Sequence, residues 1–283
     1  MAHDHPLVTV VVPAHNEELG LSRLLPLLLG GAAPGEFTVL VVCNGCSDGS
    51  AAEARKHGAD VEVVELAEAS KSAALAAGSA RIRTFPVAFV DADVALDTAS
   101  MRALVAEVGR AGILAAGPAR RLEREGVARL AGWYYDIWER LPQVRSGLFG
   151  RGVIVLSETG FRRVSRLPPF ISDDLAYSES FRPDERSIVS SAVVSVRPAR
   201  TWRALLKRRI RVVQGNRELG REGGASPAAS TSVGDLLRIA RTEPRMAARL
   251  PLFLAMTFAA RIAERLMRTD RTVWLRDETS RTS

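Results

Sequence analysis

Three short apolar runs rich in β-branched residues, Val8 to Val12, Phe37 to Val42 and Val87 to Val90, each give way at once to polar, ligand-capable residues. This pattern constrains the fold more than any other feature of the chain. Apolar runs of this length without alternation read as strands buried on both faces. After the first, Glu18 to Leu29 places Leu19, Leu21, Leu24, Leu25, Leu28 and Leu29 close to helical spacing. Val61 to Leu66 predicts a further strand, and Ser50 to His57, Ser70 to Ala80 and Thr98 to Arg110 predict helices. Such a βαβ series is an α/β fold, a mostly parallel sheet flanked by helices. It binds ligands at the carboxyl ends of its strands, where the strand order switches. Those ends carry Pro13-Ala14-His15-Asn16-Glu17, Asn44-Gly45-Cys46-Ser47-Asp48-Gly49 and Asp91-Ala92-Asp93.

With 47% hydrophobic and 25% charged residues over 283 positions, the chain reads as globular. The expected organisation is a catalytic domain over 1–220, a linker or mobile loop over 221–234 and a helical segment over 235–283. Residues 1–100 carry six Lys and Arg against thirteen Asp and Glu, net −7; the remainder carries thirty-three against nineteen, net +14. Anionic partners should therefore meet the second half. The Arg-rich stretch there lacks the interleaved aromatics of single-strand binders, and no zinc-finger or RNP pattern is present, so nucleic acid is not expected. A phosphorylated donor, a lipid-linked acceptor or an anionic membrane surface fits the charge as well. No basic, apolar-cored leader precedes the first strand, which predicts a cytoplasmic location. Leu250 to Ala260 is mostly apolar and flanked by Arg245, Arg249, Arg261, Arg265 and Arg268. That run is too short to span a bilayer; it predicts an amphipathic helix lying on an anionic membrane surface, or one packed on the rest of the protein.

Asp91 and Asp93 at a strand end are suited to holding a divalent cation, Mg²⁺ or Mn²⁺, against a diphosphate. Asp93 is the better direct ligand and Asp91 suits a ribose or a metal-bound water; the bland alternative is a capped turn before a helix. Cys43 and Cys46, the only cysteines, have C-x-x-C spacing after a strand, as in thioredoxin-like sites, but an Asn-Gly turn with small flanking residues explains them more simply. No G-x-G-x-x-G follows the first strand, which disfavours a dinucleotide oxidoreductase.

The ordered segments V-V-V-P-A-H-N-E (10–17), V-V-C-N-G-C-S-D-G-S (41–50), K-S-A-A-L-A-A-G (71–78), V-D-A-D-V (90–94), S-D-D-L-A (172–176) and R-R-I-R-V-V-Q-G-N (208–216) resemble the family 2 glycosyltransferases, inverting enzymes of the GT-A fold. The resemblance covers about residues 6–220. It implies Pro13, His15, Asn16, Glu17, Asn44 and Asp48, together with Asp91, as contacts of a nucleotide-sugar donor, UDP- or GDP-linked. It implies Lys71 near the diphosphate and Asp91 and Asp93 at the metal. It places the catalytic base at Asp174, with Asp173 second; the family usually has Glu-Asp there. A helix cap is the competing reading of that pair. Arg208, Arg209, Arg211 and Gln214 resemble the motif that closes over diphosphate and acceptor, suited to clamping phosphate oxygens. A solvated basic helix face is the alternative for these arginines. Gly215-Asn216 follows the Gln where many processive members have Arg-Trp, which argues against a processive synthase.

Gly147, Gly150 and Gly152 precede a predicted strand at Val153 to Leu156, where the family places a glycine-bearing acceptor loop; a plain turn into an edge strand is the alternative. Trp133, Tyr134, Tyr135 and Trp138 form an aromatic cluster better read as packing than as a sugar platform. The expected activity is transfer of a sugar to a hydroxyl acceptor, glycan, lipid-linked or small-molecule. A non-catalytic nucleotide-sugar-binding or scaffold protein of the same fold is the alternative, a nucleotidyltransferase is disfavoured by the lack of a Gly-rich phosphate loop, and an oligomer is left open.

Overall fold

The computed structural model describes residues 6–168, 173–221 and 231–266. In chain order the elements are β1 (Val8–Ala14), α1 (Glu18–Leu29), β2 (Phe37–Asn44), α2 (Ser50–Arg55), β3 (Val61–Leu66), α3 (Lys71–Ser79), β4 (Val87–Val90) and α4 (Thr98–Val108). There follow β5 (Ala115–Leu122), α5 (Arg129–Trp138), α6 (Pro142–Ser146), β6 (Val153–Leu156), α7 (Glu158–Val164), α8 (Asp173–Glu179) and β7 (Arg186–Val196). The C-terminal part is helical: α9 (Trp202–Arg221), α10 (Val233–Thr242), α11 (Pro244–Ala247) and α12 (Leu250–Leu266). The chain divides into two compact units, one of residues 1–122, 150–169 and 180–196, the other of 123–149, 170–179 and 197–283.

The first unit is built on a seven-stranded sheet of order β3-β2-β1-β4-β6-β5-β7. β6 alone runs against its neighbours β4 and β5; the other pairings are parallel, as the βαβ pattern predicts. Every residue of β1 is buried, because helices cover both faces of the sheet. Val8, Val10, Val12 and Ala14 pack with Leu21, Leu24, Leu25 and Leu28 of α1 and with Met101 and Leu104 of α4. On the other face α3 lies across β1 and β2. It approaches so closely that a Cβ on Gly78 would sit 2.4 Å from Val11 Cγ1. Leu19 of α1, one of the expected apolar positions, is instead 61% exposed.

Two strands escape the apolar-run reading. β5 (AAGPARRL) contains Pro118, which is tolerated because β5 pairs with β6 only at Ala115 and Ala116, leaving the Pro118 position outside that ladder. β7 carries Ser190 and Ser191 at an irregularity in its register with β5, between Pro118 and Ala119.

In the second unit the expected aromatic cluster is core. Tyr134 is buried and stacks on Phe253 of α12 with centroids 5.0 Å apart. Tyr135 meets it edge-on, and its hydroxyl accepts from the Ala199 amide at 3.0 Å. Arg140 holds both carboxylate oxygens of Glu243 at 2.8 Å. Of the stretch read as linker, 222–230 lies outside the described residues, while Ser232 and Asp235 form a capping box that starts α10. The C-terminal helix is longer than the apolar run implied. Pro244–Leu266 is a 23-residue helical stretch, long and apolar enough to cross a membrane by length and composition. The apolar run breaks at Arg261, but the helix continues beyond it.

The close approach of α3 sets where its first residue, Lys71, stands. Gly78→Val should destabilise the protein by about 1–3 kcal/mol through overpacking against Val11 and Val42, read as a lowered urea midpoint at unchanged slope.

Candidate active site

Within the first unit, the polar ends of β1 and β2 are tied into one hydrogen-bonded structure. After Pro13 and Ala14 close β1, Asn16 adopts φ 53°, a left-handed conformation that Asn tolerates better than most residues. Its Oδ1 accepts from the Ser47 amide at 2.8 Å and from the Ser47 hydroxyl at 3.3 Å. Asn44 is buried and its Nδ2 donates to the Ala14 carbonyl at 2.7 Å, while His15 Nδ1 donates to the Asn44 carbonyl. The amide of buried Glu17 donates to Ser50 Oγ at 2.8 Å.

Asp48 completes the knot. Its Oδ1 accepts from the Ser50 amide at 3.0 Å and from the Ser50 hydroxyl, and its Oδ2 accepts from the Glu18 amide at 3.2 Å. Desolvation alone would raise this carboxyl; the Ser50 hydroxyl and the amide donors outweigh it and hold the group below the ordinary carboxylate value. Asp48 is thus engaged in shaping the loop.

At the end of β4, Asp91-Ala92-Asp93 forms a turn held from several directions. The Asp91 amide donates to the Gly152 carbonyl at 2.7 Å, which continues the β4–β6 pairing by one step. Gly152 has φ +67°, and a Cβ there would lie 2.5 Å from Val94 Cγ1 and 3.3 Å from Asp91 Oδ2. A Cβ on Gly20 of α1 would stand 2.4 Å from the Ala92 carbonyl oxygen. Both glycines let neighbouring backbone press directly on the two-carboxylate turn.

Lys71, the first residue of α3 after its Ser70 cap, places Nζ 2.9 Å from Asp91 Oδ1. Both side chains are about two-fifths exposed, so the pair contributes at most about 1 kcal/mol to stability. What it does is bring an ammonium to the Asp91 carboxylate at the carboxyl end of β4. In the strand order β1 neighbours β4 on one side and β2 on the other, so these ends flank the switch point of the sheet.

The donor chemistry fits a divalent cation delivered with a substrate. No group of three or more His, Cys, Asp or Glu able to hold a metal occurs among the described residues. A cation held by Asp91 and Asp93 would keep most of its coordination shell for other ligands. Mg²⁺, and Mn²⁺ with similar hard-oxygen preference, binds in this way through one or two carboxylates plus substrate phosphates and water.

Cys43 is buried in β2, and its thiol is pushed up to about 12, first by burial and then by its neighbour Cys46. A thiol kept protonated in this way is a poor nucleophile, which counts against the thioredoxin-like reading.

Sequence pattern did not point to the cationic pair beside the Gly150–Gly152 loop. Arg120 of β5 donates to the Gly150 carbonyl at 3.0 Å, and Arg151, 3% exposed, donates to the Pro118 carbonyl at 2.8 Å. Burial first, and Arg120 second, pull the Arg151 guanidinium down to about 9. Only the G-R-G spelling at 150–152 could have drawn attention to it.

The remaining candidates belong to the second unit. Asp173 and Asp174 open α8, where Asp174 Oδ1 accepts from the Leu175 amide at 2.8 Å; Ser172 and the Asp173 side chain lie outside the described residues. Arg208, Arg211 and Gln214 follow one another at three-residue steps on α9, all partly buried. Arg209 departs from that row: its guanidinium lies 5.8 Å from the centroid of the Tyr134 ring.

Comparison with known proteins places these features in a family. The model of glycosyl transferase family 2 matches residues 9–162. An uncharacterized glycosyltransferase of Mycobacterium tuberculosis is 37% identical over 142 residues, 48% of this chain and 62% of that protein. A 4,4'-diaponeurosporenoate glycosyltransferase of Staphylococcus aureus is 37% identical over 95 residues, 32% of this chain and 25% of that protein. The chain thus spans at most about three-fifths of the length of these curated relatives.

Among solved structures, a mannosyltransferase from Pyrobaculum calidifontis in complex with GDP-Man and Mn²⁺ superposes with TM-score 0.66 at 19% identity, over 92% of this chain and 87% of that one. Glucosyl-3-phosphoglycerate synthase from Mycobacterium tuberculosis, in complex with Mn²⁺, UDP-glucose and phosphoglyceric acid, gives 0.57 at 18% identity, over 79% and 82%. These establish the fold as GT-A. The family model covers more than half of the chain, from the first strand through the carboxylate turn and on into α7, and the protein therefore belongs to glycosyl transferase family 2.

Proposed function

We propose that the protein is an inverting glycosyltransferase that moves a sugar from a UDP- or GDP-linked donor to a hydroxyl acceptor, with a divalent cation at the donor diphosphate. The observation that carries this reading is the Lys71 to Asp91 contact at 2.9 Å, two residues before Asp93 at the end of β4. An ammonium on the Asp91 carboxylate, with Asp93 two residues on, provides both signs of charge that a nucleoside diphosphate and its cation need. The Mn²⁺ and the GDP-Man or UDP-glucose bound by the two structural neighbours support the same donor classes.

Asp93, with Asp91, would hold the cation, which supplies positive charge to the departing diphosphate when bound. The loops after β1 and β2, with Pro13, His15, Asn16, Glu17 and Asn44, would form the base and ribose site, with Asp48 fixing their shape. Lys71, Arg208, Arg211 and Gln214 would neutralise and orient the diphosphate and the acceptor. The acceptor oxygen attacks the anomeric carbon from the face opposite the leaving group. The carbon–oxygen bond to phosphate breaks, the nucleoside diphosphate departs, and Asp174, or Asp173 in its place, takes the hydroxyl proton.

Thermal melting with UDP, GDP, UDP-glucose and GDP-mannose, with and without Mn²⁺, tests the donor site. One nucleotide series should raise the melting temperature in a metal-dependent way, and Asp93→Ala should abolish the metal-dependent part while remaining folded. Absence of any shift at saturating ligand would overturn the reading. Asp174→Asn should keep the donor-induced shift and lower transfer by about 10²- to 10⁴-fold. Unchanged transfer would remove Asp174 as base, and donor binding without turnover in the wild type would favour a scaffold of the same fold.

A further inference from the structure

Helix α12 has two apolar faces, and only one of them is used inside the second unit. Phe253, Met256, Ala260 and Glu264 are buried, at spacings that keep them on one side of the helix. Phe253 stacks on Tyr134 of α5, and Glu264 accepts from Arg217 of α9 at 3.2 Å. The opposite side carries Leu254, Phe258, Ile262 and Leu266 at strict four-residue intervals, 36%, 55%, 56% and 75% exposed. Four large apolar side chains in a row on one helix face form a continuous patch, unlike the scattered exposed leucines of an ordinary surface.

Charge distinguishes the possible covers of this face. Arg261 and Arg265 are exposed in its last two turns, and α12's one acidic residue, Glu264, is buried and paired with Arg217. A second copy of the same face would bring more arginines and no exposed carboxylate to meet them. A surface that is apolar within and negatively charged at its boundary complements the face in both respects.

Crossing the bilayer would require α12 to surrender its inner face. The Phe253–Tyr134 stack and the Glu264–Arg217 pair hold that side to α5 and α9, and just before the helix Arg249 pairs with Asp136 of α5. We infer that α12 is an in-plane membrane anchor: its outer stripe seats in the headgroup boundary of an anionic bilayer, with Arg261 and Arg265 on lipid phosphates, while its inner face stays in the protein. This inference is independent of the proposed catalytic chemistry.

Co-sedimentation of the full-length protein with vesicles tests it, comparing phosphatidylcholine alone with a mixture of phosphatidylcholine and phosphatidylglycerol. Wild type should bind the mixed vesicles and lose binding in high salt or on pure phosphatidylcholine. The double variant Phe258→Ser, Ile262→Ser changes only exposed positions; it should melt like wild type and bind at least roughly tenfold more weakly. Arg261→Gln with Arg265→Gln should reduce the preference for the anionic mixture. Failure of folded wild type to bind the mixed vesicles would overturn the inference, as would unchanged binding by the serine variant. Resistance to alkaline carbonate extraction would replace in-plane docking with a spanning helix. A wild-type dimer that the serine variant turns into a monomer, without vesicle binding, would assign the stripe to self-association.

Discussion

The complete burial of β1 is the constraint on which the rest of the first unit depends. Val8–Ala14 pairs with β2 on one side and β4 on the other, and both faces are covered by helices. A strand enclosed in this way must satisfy its backbone through its two neighbours, and its side chains can meet only apolar partners. Because its two neighbours arrive from different directions in the strand order, the chain leaves β1 at the switch point of the sheet. The ends of β1, β2 and β4 are consequently the positions where polar side chains concentrate.

Precision at this edge comes from backbone contact more than from attractive pairs. The exposed Lys71–Asp91 interaction is worth little as stabilisation. The carboxylate turn is located by the Gly152 carbonyl on the Asp91 amide and by α1 pressing on Ala92 at Gly20, neither of which leaves room for a side chain. Groups held this way are preorganised, so binding a charged ligand does not first require the loop to be ordered.

Polar residues in the same neighbourhood divide by where their hydrogen bonds go. Asp48 directs its oxygens at Ser50 and Glu18 and serves loop geometry, whereas Asp91 takes its charged partner from the start of another helix. Cys43 lies in the same strand end, but burial keeps its thiol protonated. Residue type and spacing do not separate these roles; the direction of each side chain does.

Elements whose burial is uniform could be read from residue pattern. β1 to β4, α1, α3 and α4 fall where their apolar runs and helical spacing put them, and the polar strand ends, Asp91 among them, were legible for the same reason, whereas Lys71 entered only through the family resemblance. β5 and β7 were not legible, because Gly117, Pro118 and two arginines interrupt the one and serines the other; they are strands through pairing with each other and, for β5, with β6. Folding supplied the rest: Gly20 and Gly152 clamp the carboxylate turn, Arg120 and Arg151 donate to the Gly150 and Pro118 carbonyls, and α12 runs past Arg261 with one face docked and the other exposed. Local pattern reports what a residue avoids, namely water or a strained backbone. Which partner it then meets depends on contacts between positions far apart in sequence, and those exist only once the chain has folded.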